Sequence, residues 1–123
     1  MKVLIVDDEQ ANRLILQAML AKSKHEVVEA CNGKEAVELF DTHNPDLVLM
    51  DVMMPVMDGY EATKEIRRIE LESHTTAHVP IIALTANVSE EDRLRSIDVG
   101  MDNHLKKPHT YDQLLQVIAP YLQ

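Results

Sequence analysis

The sequence contains few of the residues on which several classes of protein depend. One cysteine, Cys31, occurs in 123 residues, so the chain forms no internal disulfide. Only three glycines occur, which excludes the glycine-rich loops that hold nucleotide phosphates. No apolar run approaches the roughly 18 residues that a membrane-spanning helix needs. We therefore predict neither a disulfide scaffold, nor a nucleotide-binding loop, nor a membrane partner.

Basic residues are also scarce. Twelve lysines and arginines stand against 21 acidic residues, which gives a formal net charge of -9. Proteins that bind nucleic acid through its phosphates need clustered positive charge, so no direct nucleic-acid binding is expected. The residues after Met1 lead into a strand pattern without the charged and apolar regions of a signal peptide. These features predict a cytoplasmic protein.

The sequence does contain enough apolar residues for one core. At 46% hydrophobic, the chain can bury a continuous interior, and we predict one domain over residues 1–123. Short apolar runs alternate with helical patterns, which predicts a doubly wound α/β fold of five parallel strands with helices on both faces of the sheet. The predicted strands are Lys2 to Val6, His25 to Ala30, Asp46 to Met50, Pro80 to Leu84 and Asn103 to Lys106.

Apolar spacing also predicts the character of individual helices. The first helix has an apolar stripe at helical spacing, which comprises Ala11, Leu14, Ile15, Ala18 and Met19. The fourth helix carries Leu94 and Ile97 among many charged residues, so its buried stripe is narrow. We therefore expect the fourth helix to be among the more mobile elements.

Chemically distinctive residues follow the predicted strands. In open α/β sheets, ligands bind beyond the carboxyl ends of the strands. Those ends carry Asp7, Asp8, Asp51, Thr85, Lys106 and Lys107. The segment LVLMD is the most unusual, because four apolar residues run directly into an acid. Burying a carboxylate costs several kcal/mol unless its charge is compensated, so something must compensate Asp51.

A divalent cation is the simplest compensation for these acids. Three carboxylates at close range repel one another, so either their pKa values rise or a cation binds. Mg²⁺ prefers oxygen ligands and often takes one or two carboxylates together with phosphate oxygens. Asp51 could then attack a phosphorus atom while a lysine neutralises the phosphoryl oxygens. Taken singly, an acid after a strand is usually a helix cap or a turn residue, and the Asp58-Gly59 pair is interpreted as turn chemistry in preference to a site.

Four segments carry a resemblance to a known family. They are VDDEQANR, LVLMDVMMPVMDG, IIALTAN and VGMDNHLKKPHT. Their order and spacing resemble the receiver domain of two-component response regulators over essentially the whole chain. The resemblance implies a flavodoxin-like sheet with strand order 2-1-3-4-5. It also implies that Asp51 is the phosphoacceptor and that Asp7, Asp8, Asp51 and the backbone carbonyl of Met53 hold Mg²⁺ or Mn²⁺.

The same resemblance assigns the residues of a switch. Thr85 is the switch hydroxyl, and Lys107, rather than its neighbour Lys106, is the phosphate-sensing lysine. The peptide bond between Lys107 and Pro108 is expected to be cis. The sequence departs from the family at His104, where a tyrosine or phenylalanine is usual. A histidine there either makes the switch sensitive to pH or simply packs as a strand residue.

The function that the resemblance implies is a phosphoacceptor signalling switch rather than an enzyme with its own substrate. A histidine kinase or histidine phosphotransfer domain would phosphorylate Asp51 in a Mg²⁺-dependent reaction. A downstream protein or output domain would read the face formed by the fourth helix, fifth strand and fifth helix. The chain itself would catalyse only self-phosphorylation and autodephosphorylation. The string GMDNHLKKP resembles receivers of hybrid histidine kinases, and a monomer or weak homodimer is expected.

Three other functions use a similar fold or similar residues. A receiver-like domain that binds proteins without being phosphorylated would keep the same fold. Phosphatases of the haloacid-dehalogenase type also use an aspartate nucleophile, but they place it after the first strand as Asp-x-Asp, and Glu9 occupies the third position here. A flavodoxin-type flavin site is disfavoured because Asp7, Asp8 and Glu9 would repel its phosphate.

Overall fold

Five parallel strands form the centre of the structure, a computed structural model that describes residues 1–73, 78–86 and 89–121. The strands are β1 (Lys2–Val6), β2 (Glu26–Ala30), β3 (Leu47–Asp51), β4 (Ile81–Thr85) and β5 (Asn103–Lys106). Their order in the sheet is β2-β1-β3-β4-β5, and every neighbouring pair is parallel. The predicted fold class and strand order are confirmed.

Five α-helices alternate with these strands in the described part of the chain. They are α1 (Gln10–Lys22), α2 (Gly33–His43), α3 (Gly59–Glu72), α4 (Glu90–Val99) and α5 (Tyr111–Ile118). A 3₁₀ turn, Ala119–Tyr121, follows α5. Over the same described ranges, no helix is both long enough and apolar enough to cross a membrane.

Side-chain caps determine where four of the helices begin. In each case a side-chain oxygen accepts a hydrogen bond from the backbone amide three residues later, and the capping residues are Asn32, Asp58, Ser89 and Thr110. Thr110 and Gln113 form a complete capping box. Asp58 is therefore the N-cap of α3. The turn predicted at Asp58-Gly59 is the first turn of this helix, which begins at Gly59.

Both faces of the sheet are buried, which explains why its central strands are apolar at every position. One face carries Leu4, Val48 and Met50 and is covered by α2 and α3. The other carries Val3, Ile5, Leu47 and Leu49 and is covered by α1 and α5 through Leu16, Leu20, Leu114 and Ile118. The carboxyl ends of β1 and β3 therefore emerge side by side between two packed layers.

Two helices differ from the sequence-based interpretation. The buried residues of α1 are Leu16 and Leu20, whereas Leu14 and Ile15 of the predicted stripe are 55% and 52% exposed. The sequence contains two apolar faces on this helix, and periodicity marks the outer one. In α4 only Val99 is buried, and Leu94 and Ile97 face solvent. The buried stripe of α4 is thus even narrower than predicted.

The start of α2 packs directly on the loop that follows β3. The Gly33 amide donates to the Met57 carbonyl at 3.0 Å, and a Cβ at Gly33 would lie 2.4 Å from that oxygen. We expect Gly33→Ala to lower the free energy of unfolding by about 1–3 kcal/mol, because backbone atoms must move apart. Urea unfolding measures the change. Lys34→Ala, an exposed substitution in the same helical turn, is the control, and equal stability of the two variants would contradict the prediction.

Candidate functional site

Three carboxylates meet at the carboxyl edge of the sheet. Asp7 directly follows β1 and Asp51 ends β3, and these two strands are adjacent in the sheet although they are not consecutive in the chain. Such a change of strand order is where α/β sheets open a ligand-binding crevice. One carboxylate oxygen from each of Asp7, Asp8 and Asp51 lies within 4.8 Å of the other two. The structure therefore brings together the three acids that the sequence singled out.

The three acids have different surroundings. Asp7 is fully buried, and its Oδ1 accepts the Glu9 amide at 2.9 Å. Asp51 is 5% exposed, and its Oδ1 accepts the Met53 amide at 3.2 Å. Asp8 is exposed and faces solvent. The cluster thus consists of two buried carboxylates, Asp7 and Asp51, and one solvent-exposed carboxylate, Asp8.

Lys107 supplies the positive charge inside this cluster. Its Nζ lies 3.2 Å from Asp7 Oδ2 and 3.1 Å from Asp51 Oδ2. Two features hold the lysine there: its amide donates to the Thr85 carbonyl at 2.8 Å, and the following peptide bond to Pro108 is cis. Lys106 is exposed on the last position of β5 and makes no ion pair among the described residues. Of the two adjacent lysines, the geometry therefore selects Lys107.

Burial and charge oppose each other at the two central groups. Burial raises the pKa of the Asp51 carboxyl above its ordinary value, although the Lys107 ammonium group offsets part of this effect. Burial alone would lower the pKa of Lys107, but attraction to Asp51 and Asp7 prevails and raises it. Lys107 is therefore charged at neutral pH, while Asp51 is easier to protonate than an exposed aspartate.

The loop from Val52 to Asp58 returns the chain to the end of β3, where Gly59 packs against the backbone of Asp51 and Val52. The Gly59 amide donates to the Val52 carbonyl at 3.1 Å, and a Cβ at Gly59 would lie 2.4 Å from the Asp51 carbonyl oxygen. Val56 has a φ of 71°, a left-handed conformation that is uncommon for a β-branched residue. Met53 is 77% exposed beside the acids.

The predicted switch residues lie at different distances from the acids along the sheet. Thr85 ends β4 at the same edge, and its register partner on the neighbouring strand β5 is Lys106. His104 lies farther back on β5, opposite Ala83. Its side chain lines a separate cavity of about 230 Å³ together with Arg93 and Ile97 of α4. The structure thus places Thr85 at the acidic edge, whereas His104 lies away from that edge, on the part of β5 that faces α4 across this cavity.

Sequence reasoning missed two features near the acids. Arg13 of α1 donates to the backbone carbonyl of Asp7 at 2.7 Å and pairs with Glu29 of β2 at 3.3 Å. A cavity of about 350 Å³ lies between α1 and the loop after β5, and its walls include Ile15, Leu16, Leu84, Pro108 and His109 as well as Asp7 and Lys107. The signal in the sequence was Leu16, an apolar residue of α1 that lies outside the predicted stripe and lines this cavity.

Residues 3–119 match the family described as the response regulator receiver domain. The chain belongs to that family. A receiver segment with 42% identity over 120 residues occurs in the sensor histidine kinase GacS of Pseudomonas protegens, covering 98% of this chain and 13% of the kinase. The chain also spans less than half of the length of other curated relatives that it matches.

Two solved receiver domains are similar to this one over 98% of its length. One is the receiver domain of the Pseudomonas aeruginosa kinase PA1611, with magnesium coordinated in its active-site cleft, at a TM-score of 0.85, 36% identity and 95% coverage of that chain. The other is the Saccharomyces cerevisiae receiver domain of Ssk1, crystallised with the histidine phosphotransfer protein Ypd1, at a TM-score of 0.92, 35% identity and 88% coverage. The chain is therefore a receiver domain of the kind used in two-component phosphorelay signalling.

The raised pKa of Asp51 predicts the effect of removing its charge. When an acid has a higher pKa in the folded than in the unfolded state, the folded state binds more protons, so its stability falls as pH rises through that interval. We therefore expect Asp51→Asn to be more stable than the parent at neutral pH in the presence of a chelator. The difference should shrink as pH falls into the carboxyl range, where the parent's Asp51 also becomes neutral.

Urea unfolding at a series of pH values tests this expectation. Asp41→Asn, on the exposed face of α2, changes the net charge equally and is the control. A stability difference between Asp51→Asn and the parent that does not vary with pH would show that burial of the Asp51 charge is not its cause.

Proposed function

We propose that this receiver domain accepts a phosphoryl group on Asp51 from a phosphohistidine of a histidine kinase or phosphotransfer protein. The observation that supports this proposal is the placement of Lys107 between the buried carboxylates of Asp7 and Asp51. Of the three acids, Asp51 is the one that is itself the last residue of a strand, the central strand β3. The domain's own chemistry would be limited to acceptance of this group and its later hydrolysis.

The transfer requires a nucleophile and compensation of the phosphoryl charge. A carboxylate oxygen of Asp51 attacks phosphorus, the bond to the donor's imidazole nitrogen breaks, and the imidazole leaves with the electron pair. Charge spreads over the phosphoryl oxygens during this step, and the ammonium group of Lys107 lies where it can neutralise part of it. Thr85, at the same edge, would donate a hydrogen bond to one phosphoryl oxygen.

The chemistry of the acids fits Mg²⁺ or Mn²⁺. Hard carboxylate oxygens within 4.8 Å of one another, one of them at the mouth of the cluster, suit a hard cation that keeps several waters. Asp7, Asp8 and Asp51 would hold it together with the backbone carbonyl of Met53. The bound ion would supply further positive charge beside the phosphoryl group. The magnesium seen in the PA1611 receiver supports this assignment.

The outer face of α1 is the proposed approach for the protein donor. Leu14 and Ile15 are each more than half exposed, and Ile15 also lines the cavity that reaches Asp7 and Lys107. Their neighbours Ala11 and Ala18 are exposed as well, so the part of this face between residues 11 and 18 carries no charge in a chain of net charge -9. A histidine-bearing partner would bury this apolar face; the Ssk1 receiver domain, which is similar to this one, crystallised with a partner of this kind, the phosphotransfer protein Ypd1.

The output of the switch would be a change at the face formed by α4, β5 and α5. Phosphorylation would draw Thr85 toward the phosphoryl group, and His104, between β5 and α4, would occupy the place of the family's aromatic residue. A downstream protein or output domain would read the altered population of this face. The cytoplasmic location and the preference for a monomer or weak homodimer stay predictions.

Phosphorylation by a small-molecule donor tests the proposed reaction. After incubation with acetyl phosphate, intact-mass measurement should show one added phosphoryl group that requires both Mg²⁺ and Asp51. Asp51→Ala should remain unmodified, and Lys106→Ala should react like the parent because its side chain lies outside the acid cluster. No added mass under any condition would overturn the proposal and favour a receiver-like domain that binds proteins without phosphorylation.

The approach along α1 predicts a separation between two kinds of donor. Leu14→Glu should slow transfer from phosphorylated Ypd1, used as a protein donor, by about tenfold, equivalent to roughly 1.4 kcal/mol. Labelling by acetyl phosphate should remain within about twofold of the parent. Leu71→Glu, an exposed leucine at the far end of α3, is the matched control and should leave both rates unchanged. Equal slowing by the two substitutions would exclude a specific docking face on α1.

A further inference from the structure

α4 is held differently from the other helices of the described chain. It buries only Val99, whereas α1, α2, α3 and α5 each bury two or more residues. Leu94 and Ile97 face solvent although they are the large apolar residues of the helix. Because little apolar surface holds α4 in place, its position depends on directional contacts made by individual side chains.

One of these contacts fixes the C-terminal end of α4. The Nε of Arg67 on α3 donates to the carbonyl of Gly100, the C-cap of α4, at 3.0 Å. The same guanidinium pairs with Asp102 at 2.8 Å, and Asp102 also accepts the amide of Ile81 at the start of β4 at 2.8 Å. This end of α4 is therefore tied to α3 and to the sheet.

A second contact lies in the middle of α4. The guanidinium of Arg95 sits 4.2 Å from the centre of the Tyr60 ring on α3. Arg95 forms no ion pair among the described residues, although Glu91, Asp92 and Asp98 lie three or four positions away on its own helix. Its neighbour Arg93, by contrast, pairs with Glu90 at 2.7 Å. Arg95 thus contacts an aromatic face of another helix in preference to nearby carboxylates.

Tyr60 is fixed relative to the phosphoacceptor. It is 6% exposed and belongs to the apolar cluster that contains Val52. It directly follows Gly59, which packs against the Asp51 carbonyl and donates to the Val52 carbonyl. The ring that Arg95 contacts therefore belongs to the residue next to Gly59, which packs against the backbone of the predicted phosphoacceptor.

We propose that the contact between Arg95 and Tyr60 restrains α4 against α3 in the unmodified domain and sets how readily α4 moves when the phosphoacceptor site changes. Arg95 is a positioning residue in this role, since it lies outside the acid cluster. The part of the inference that concerns phosphorylation rests on the proposed function. The restraint of α4 in the unmodified protein does not.

Hydrogen exchange of the α4 amides, measured by mass spectrometry on the full chain, tests the restraint. Arg95→Gln should raise exchange across α4 by about fivefold, the effect of losing one cation–π contact of about 1 kcal/mol. Arg93→Gln, on the same helix, should not, because its surface pair with Glu90 does not reach α3. Tyr60→Phe should retain slow exchange since it keeps the ring, and Tyr60→Leu should reproduce Arg95→Gln.

The outcomes separate this inference from the proposed function. Equal α4 exchange in Arg95→Gln and Arg93→Gln would overturn the restraint, whatever happens at Asp51. With Mg²⁺ and beryllofluoride as a phosphoryl analogue, the further rise in α4 exchange should be smaller in Arg95→Gln than in the parent. Failure of acetyl phosphate to label the parent would defeat the proposed function, while the comparison without beryllofluoride would still decide the role of Arg95.

Discussion

The Nζ of Lys107 lies between two buried carboxylates, 3.2 Å from Asp7 and 3.1 Å from Asp51, and the rest of the site depends on this arrangement. Without the ammonium group, two acids would be buried side by side with uncompensated charge, which costs several kcal/mol. The arrangement depends in turn on the register of the sheet, because the Lys107 amide bonds to Thr85 and Asp51 lies opposite Leu84. A shift of one residue would turn these side chains to the other face.

Sequence reasoning located the acidic edge because that prediction needs only the alternation of strands and helices. Asp7, Asp51 and Thr85 meet at one edge whenever parallel strands end near them, and errors of one residue in the strand bounds change nothing. The sequence also contains the chemical contradiction at Asp51, an acid that continues an apolar strand. The structure confirms that this acid is buried, since Asp51 is 5% exposed.

Periodicity failed where a helix has more than one apolar face. In α1, Leu14 and Ile15 form a regular stripe with their neighbours, but Leu16 and Leu20 face the sheet. Spacing alone cannot say which stripe meets the core, since that depends on the angle at which the helix leaves β1. The contact of Arg95 with Tyr60 was unpredictable for a related reason: it joins two helices whose relative position follows from packing and from no local pattern.

The site and α4 differ in how firmly they are held, and this difference suits a switch. Asp7 and Asp51 are held by strand register, by backbone hydrogen bonds and by the partly buried Lys107. A phosphoryl group would place about two negative charges where Asp51 now has one, and Lys107 must respond to both. The populations of two positions of α4 change whenever the free-energy difference between those positions changes. Since α4 buries little apolar surface, a few contacts such as those of Arg67 and Arg95 contribute to that difference, and a change in any one of them alters it.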